Sequence, residues 1–248
     1  MCVLAFAWRA HPRWQIILAG NRDEFHARPA SALARWGDRP QLIAGRDLQS
    51  GGTCLGVSDA GRLAVVTNLR GYGGPAPDRA SRGALVTDLL DGAGDEGIDP
   101  GDFNPFNLIA VADGRARFLT NRPATLRSDL APGLYGLSNG ALDAPWPKTL
   151  RLKSALLAWI VDGATAPERL FDTLREEALP GGGLDPAQPS DVAQEPRPSP
   201  IFIRDPVYGT RCSTVVAIDA DGAGTIVERR FDADGKAAGE TRIAFHWP

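Results

Sequence analysis

Short apolar runs separated by turn residues dominate both ends of the chain. Residues 3–7 and 14–19 flank a polar segment, and this pattern predicts a β-hairpin with at least one buried face. The Asp113-Gly114 pair joins two further apolar runs and predicts a second hairpin, because it suits a tight turn. In chain order, strands beyond the first hairpin are predicted over 51–57, 63–68, 106–112, 117–121, 214–218, 225–231 and 241–245.

Helical spacing is confined to the middle of the chain. Ser81 is a predicted N-cap for a helix over 81–91, and the apolar spacing predicts two amphipathic helices over 148–161 and 166–179. Residues 180–200 contain a glycine triplet and several prolines, which predicts an exposed loop. Strands at both ends with helices grouped between them predict an α+β fold in a single domain over residues 1–248.

Composition narrows the class of function. The 248 residues carry a formal net charge of −3, so we expect no basic surface for nucleic acid or anionic membrane. The apolar runs are too short to span a bilayer, and no signal peptide is recognisable. Three cysteines without metal-ligand spacing predict a reducing compartment and no metal site. We therefore expect a cytoplasmic protein that binds a small molecule and has no resident cofactor; the oligomeric state cannot be read from the sequence.

Cys2 follows the start methionine directly. Cysteine is small enough to permit methionine removal, and Cys2 would then carry a thiol and a free α-amine on one residue. That amine has an ordinary pKa of about 7.7–8.0 and can act as a base, while the thiol is a strong nucleophile. The alternative interpretation is a small buried hydrophobe in the first strand.

Hydrogen-bonding groups follow several of the predicted strands. Asn21-Arg22-Asp23-Glu24-Phe25 ends the first hairpin, and Asn68, Asn121 and Arg211 lie at the ends of other apolar runs. An asparagine amide can stabilise an oxyanion, and an arginine near a thiol favours the thiolate. An aspartate can orient an α-ammonium group. Each residue alone suits a turn or a solvated ion pair; together they are what amide hydrolysis at Cys2 requires.

Several of these segments resemble the NRDE protein family, whose eukaryotic members are called Transport and Golgi organization protein 2. The resemblance rests on Met1-Cys2 and on six further motifs, which run from Asn21 to Thr214: 21–25, 28–29, 51–53, 67–68, 135–139 and 208–214. The family is similar to N-terminal-nucleophile hydrolases of the penicillin V acylase and bile salt hydrolase branch. The resemblance implies a four-layer αββα sandwich of two mostly antiparallel sheets.

The same resemblance implies roles for individual residues. Cys2 is expected to be nucleophile and base, Asp23 and Arg211 to complete the catalytic site, and Asn121 to stabilise an oxyanion. Arg22 departs from the acylase pattern, in which the arginine stands three residues before the aspartate and not beside it. Substrate-binding roles are implied for Arg22, Asn68 and Asn139.

Two functions stay open at this point. One is hydrolysis of a C–N bond in a small molecule through Cys2. The other is non-catalytic binding and trafficking of haem, or of an acyl-coenzyme A or lipid ligand, in the same pocket. The resemblance implies it, because family members are associated with haem trafficking and with lipid or acyl-coenzyme A homeostasis. For haem, the candidate axial ligands are the cysteines and His11, His26 and His246. Cys54 and Cys212 lie within apolar runs and are expected to be inert core thiols.

Overall fold

The computed structural model of the protein describes residues 3–73, 75–178 and 198–248. Cys2 and most of the predicted loop over 180–200 lie outside the described residues. Thirteen strands and three α-helices are assigned within them, together with three short 3-10 segments.

The first sheet joins the two ends of the chain. Its six strands, all antiparallel to their neighbours, follow the order β10-β1-β2-β11-β12-β13. They are β1 (Val3–His11), β2 (Trp14–Phe25), β10 (Gly133–Leu137), β11 (Tyr208–Asp219), β12 (Ala223–Phe231) and β13 (Ala237–His246). The long β2–β11 pairing therefore puts residues about 190 positions apart side by side, Asp23 opposite Thr210 for example.

The second sheet is a continuous antiparallel meander. Its seven strands keep their chain order: β3 (Ala30–Arg35), β4 (Leu42–Asp47), β5 (Leu55–Ser58), β6 (Arg62–Asn68), β7 (Phe106–Ala112), β8 (Arg115–Thr120) and β9 (Leu126–Asp129). Because each strand pairs with the next, every connection within this sheet joins neighbours.

Three apolar clusters define the layers. The largest lies between the sheets and includes Phe6 and Val216 from the first sheet and Val65 and Ile109 from the second. A second cluster packs α2 (Pro147–Val161) and α3 (Leu170–Leu174) on the outer face of the first sheet, and a third packs α1 (Arg82–Asp91) on the outer face of the second. The expected αββα sandwich is confirmed.

Most predicted elements are found, with changed limits. Ser81 caps α1 by accepting a hydrogen bond from the Gly83 amide, as its position predicts. The strand predicted over 51–57 begins only at Leu55, and the helix predicted over 166–179 is wrong in length, since α3 ends at Leu174. The sequence interpretation missed four strands, β3, β4, β9 and β10. These strands have four to six residues; β3 is rich in alanine, β4 and β10 contain glycine and β9 is mostly polar, so apolar alternation is weak in them.

Candidate functional site

A cavity of about 590 Å³ opens between the two sheets. Its volume lies within the range of about 300–1,000 Å³ that is typical of small-molecule pockets. The inner wall includes the buried apolar residues Leu33, Leu55, Val66 and Ile226. The rest of the wall is strongly charged and includes, among the described residues, Arg22, Asp23, Glu24, Arg28, Asp47, Asn68, Arg82, Arg211, Cys212 and Glu228.

Strand register explains why charged and apolar residues meet in this cavity. Cys212 lies opposite Arg22 on one side and Arg230 on the other, forming one row across three strands. Thr214, two residues after Cys212 on β11, pairs with Glu228. Two residues further along, Val216 pairs with Ile226, and this row is apolar. Since alternate residues of a strand share a face, these rows lie on the face that meets the second sheet. The inner face thus changes from polar to apolar along the strands.

Asp23 lines this cavity and is held by its neighbours. Its carboxylate accepts a 2.7 Å hydrogen bond from Thr210 Oγ1, and its carbonyl accepts one from Tyr208 Oη at 3.3 Å. The side chain is buried, with 5% of the residue exposed. Thr210 Oγ1 also accepts from the Ile203 amide, so β11 fixes the carboxylate in place.

Asn21, the residue before the charged segment, faces away from the cavity. Its amide donates to the carbonyls of Leu174 and Ile201, both at 2.8 Å, and its oxygen accepts from Ser213 Oγ at 2.6 Å. Asn21 therefore ties the first sheet to the layer that contains α3. This fully buried residue is a structural member of the motif.

Ion pairs connect the next residues to the second sheet. Arg28 Nε lies 2.6 Å from Asp47 Oδ2, and Arg22 lies 3.8 Å from the same carboxylate. Burial raises the pKa of Asp47, but hydrogen bonds from Arg28 and from the amides of Ser50 and Gln49 outweigh it and keep that pKa below its ordinary value. Asp47 is therefore ionised at neutral pH and neutralises part of the arginine charge.

Arg211 and Asn68 also line the cavity. Arg211 Nη1 donates to the carbonyls of Phe25 at 2.8 Å and Arg28 at 3.0 Å, which anchors one terminal nitrogen of its guanidinium group. Asn68 ends β6 at the cavity edge. Asn139 is not among the described lining residues; its amide donates to the Asn68 carbonyl at 2.8 Å and so positions that edge.

The expected oxyanion role of Asn121 requires correction. Its Oδ1 accepts from the Phe106 amide at 2.9 Å, and its Nδ2 donates to the carbonyls of Pro100 and Phe103 at 3.0 and 3.2 Å. The side chain is buried and is not among the described residues that line the cavity. Both amide hydrogens are therefore occupied by backbone acceptors, and we assign Asn121 to holding the chain around Pro100.

Glu228 is a functional candidate that the sequence interpretation missed. Only 6% of the residue is exposed, and its carboxyl accepts a 2.8 Å hydrogen bond from the Leu33 amide across the gap between the sheets. Burial raises the pKa of Glu228, although this bond opposes the shift. Period-two spacing from the buried Ile226 was the available signal, since residues 226 and 228 must share a face.

The sequence predicts that Cys54 and Cys212 are enclosed in the core, and this prediction is wrong. Both are half-buried free thiols in the wall of the cavity. Burial, together with the nearby Glu228 carboxylate, raises the pKa of Cys212 well above its ordinary value. Cys212 is therefore a protonated thiol at neutral pH, and the prediction that it reacts slowly stays reasonable for a different reason.

The chain matches the family described as "Transport and Golgi organisation 2" over residues 1–233. It is 36% identical over 262 aligned residues to the Bos taurus Transport and Golgi organization protein 2 homolog, covering 92% of each chain. The human homolog is 33% identical, with 98% of this chain and 97% of the relative covered. The chain belongs to this family. The resemblance stated from the motifs is thus confirmed over nearly the whole length.

Solved structures support the fold assignment. The Caenorhabditis elegans N-acylethanolamine-hydrolyzing acid amidase ortholog superposes with a TM-score of 0.50 at 10% identity, covering 86% of this chain and 92% of that one. At this identity the similarity extends to the fold alone.

Within the described residues, no helix is both long and apolar enough to cross a bilayer.

Proposed function

We propose that this protein hydrolyses an amide bond of a small molecule, with Cys2 as the nucleophile. The observation that supports this most directly is the start of β1. Val3 pairs with Asn21, and the next two residues of β2, Arg22 and Asp23, line the cavity. Cys2 immediately precedes Val3 in the chain.

The proposed chemistry needs only groups of this chain, water and substrate. With Met1 removed, the Cys2 α-amine takes the thiol proton, and the thiolate forms a C–S bond to the amide carbon while the carbonyl electrons move to oxygen. Collapse of this intermediate breaks the C–N bond, and the departing amine takes the proton from the α-ammonium group. Water then hydrolyses the thioester with the α-amine as base.

Described residues supply the supporting roles in this proposal. Asp23, fixed by Thr210, orients the α-ammonium group, and the Arg22 and Arg211 guanidinium groups favour the thiolate. Asn68 is the remaining side-chain amide of the predicted site at the cavity edge, and it replaces Asn121 as the candidate oxyanion donor.

The test uses a protein whose sole thiol is Cys2. The chain has three cysteines, so Cys54→Ala/Cys212→Ala leaves Cys2 alone. Intact mass spectrometry after incubation with a β-lactam, a strained amide, should show loss of Met1 and one covalent acyl adduct. Cys2→Ala is the matched control and should show no adduct. A protein that retains Met1, or that gains no adduct and releases no amine from p-nitroanilide amides, contradicts the proposal.

The carrier alternative has different requirements. A haem carrier needs an axial ligand in the cavity, yet the described lining contains no histidine: His11 accepts from the Arg13 amide, and His26 contacts the Asp205 carbonyl. Two cysteines, Cys54 and Cys212, line the cavity, and burial raises the pKa of Cys212, which disfavours its thiolate form. The described lining therefore offers haem no histidine ligand, and its arginines suit an anionic ligand.

A further inference from the structure

The cavity wall is positively charged in a protein whose net charge is negative. Seven arginines but only four acidic residues line it among the described residues, whereas the whole chain carries −3. Positive charge inside a cleft attracts anions, because the low-dielectric walls concentrate the field. An arginine of the wall attracts an anion only where no carboxylate of the protein already compensates its charge.

Several of the cavity arginines are neutralised by neighbours. Arg28 pairs with Asp47, and Arg22 lies within 4 Å of both Asp47 and Glu24. Arg46 makes two hydrogen bonds to Asp38, at 2.9 and 3.1 Å. These side chains contribute to the fold of the cavity, and their charge is largely compensated.

Arg82 and Arg211 differ from this group. Among the described residues, neither has a carboxylate within 4.0 Å, and each uses only Nη1 in a protein hydrogen bond. Arg82 Nη1 donates to the Pro105 carbonyl at 3.1 Å, and Arg211 Nη1 donates to the carbonyls of Phe25 and Arg28. Each guanidinium group is thus anchored at one nitrogen, with its other donors available to a ligand.

Both arginines are half-buried and lie near the same carboxylate. Burial lowers the pKa of Arg82 and that of Arg211, and the Glu24 charge opposes the shift in both cases. A guanidinium group stays charged in proteins, so the partial loss of hydration is a standing cost that a bound anion would offset. Glu24 also lies within 4 Å of Arg22 and Arg28, so its single negative charge leaves a net positive charge here.

We propose that Arg82 and Arg211 form a subsite for a carboxylate or phosphate group, so that the ligand of this cavity is an anion. This proposal rests on the proposed function only in taking the same cavity as the substrate site. Arginine binds both oxyanions through two parallel N–H donors, which gives orientation as well as affinity. The apolar wall at Leu33, Val66 and Ile226 receives the uncharged part of the ligand.

The experiment compares anionic and neutral probes of equal length. Octanoate, octyl phosphate and octanamide are titrated calorimetrically into the full chain carrying Cys2→Ala, so that no turnover occurs. We expect both anions to bind about tenfold or more tightly than octanamide, because hydrogen bonds to a charged partner are the stronger ones. Comparison of the two anions identifies which oxyanion the subsite prefers.

Arg82→Gln is the decisive variant, and Arg46→Gln is its matched control. Both remove one positive charge from the cavity wall, but only Arg46 has a carboxylate partner. Arg82→Gln should weaken anion binding about tenfold to a hundredfold and leave octanamide binding unchanged. Arg46→Gln should change anion binding less than threefold.

Three results would overturn the subsite. They are octanamide binding as tightly as the anions, equal losses in the two variants, and no measurable binding of either anion. Failure of the subsite leaves acylation of Cys2 by a neutral lactam untouched. Conversely, a chain that binds anions through Arg82 but never acylates keeps the subsite and loses the hydrolase proposal.

Discussion

The side-chain amide of an asparagine can stabilise an oxyanion or hold the backbone in place, and Asn121 does the second. Its position after an apolar strand suggested an oxyanion donor, but its amide group makes hydrogen bonds to three backbone groups. Asn121→Ala would leave the Phe106 amide and two carbonyls without their partner. We expect the free energy of unfolding to fall by about 2–4 kcal/mol, with activity per folded molecule unchanged.

Asn68→Ala is the control for that prediction. The same substitution at this exposed strand end should change stability by only about 0.5 kcal/mol or less. Chemical denaturation of both variants, with turnover normalised to the folded fraction, separates the two roles. A stable Asn121→Ala protein without activity would restore the catalytic assignment.

Glu228 gives a pH-dependent prediction. Its folded pKa is raised above the ordinary value of 4.5, so the folded state binds more protons than the unfolded state between these two pKa values. The contribution of Glu228 to stability is therefore complete below pH 4.5 and declines as the pH rises through the folded pKa. Glu228→Gln keeps an acceptor for Leu33 and removes the ionisation.

The measurement is the difference in unfolding free energy between Glu228→Gln and the parent protein. We expect it to increase in favour of the glutamine variant as the pH rises from 4.5 towards neutrality. Denaturant titrations at matched ionic strength across that range are sufficient. A difference that is flat with pH, or that shifts towards the parent protein, contradicts a raised pKa at this position.

At the scale of elements, a close backbone contact positions α1 against the loop before β5. A Cβ atom at Gly52 would overlap the backbone of Gly83, and the Thr53 amide donates to the Gly83 carbonyl at 3.3 Å. Only glycine allows this approach. The loop thereby fixes the first turn of α1, which carries Arg82 into the cavity wall.

Gly52→Ala should therefore lower the free energy of unfolding by about 1–3 kcal/mol. It should also weaken anion binding, because α1 must shift and α1 carries Arg82. Gly37→Ala, where nothing lies within 4 Å of an added Cβ, should stay within about 0.5 kcal/mol of the parent. Thermal unfolding and octanoate titration of the two variants provide the comparison. Equal stability of both variants would mean that the contact relaxes without cost.

At the scale of the whole molecule, an N-terminal strand, β2, and a strand from the last part of the chain, β11, meet in the centre of one sheet. β2 and β11 pair over most of their lengths, and the apolar cluster between the sheets takes residues from both. The Glu228 carboxyl of the first sheet also accepts a hydrogen bond from the Leu33 amide of the second. The single domain over residues 1–248 stays a prediction, and this connectivity supports it.

The prediction is one cooperative unfolding transition. The two sheets share a core, so neither should lose structure while the other persists. Far-ultraviolet circular dichroism, which reports strands, and tryptophan fluorescence should give coincident midpoints. Two separated transitions would show that the sheets unfold independently.

The sequence by itself determined the strand-rich ends, the capped helix at Ser81 and the family motifs. These features depend on local chemistry: alternation, capping and turn formation are set by residues a few positions apart. The layered sandwich was predicted from the resemblance and not from the pattern, and the order of the strands in the two sheets was given only by the structure. The strands β3, β4, β9 and β10 escaped detection because tertiary pairing, and not apolar alternation, stabilises them.

Only the tertiary structure decided which polar residues face the cavity. Asn68 and Asn121 look equivalent in sequence, each following an apolar strand, but one lies at the cavity edge and the other is bonded to the chain around Pro100. Arg46 and Arg82 likewise look alike in sequence, but Asp38 reaches Arg46 while the Arg82 guanidinium group donates to the Pro105 carbonyl. Such contacts depend on how strands and turns fold against one another, so apolar alternation and helical spacing do not encode them.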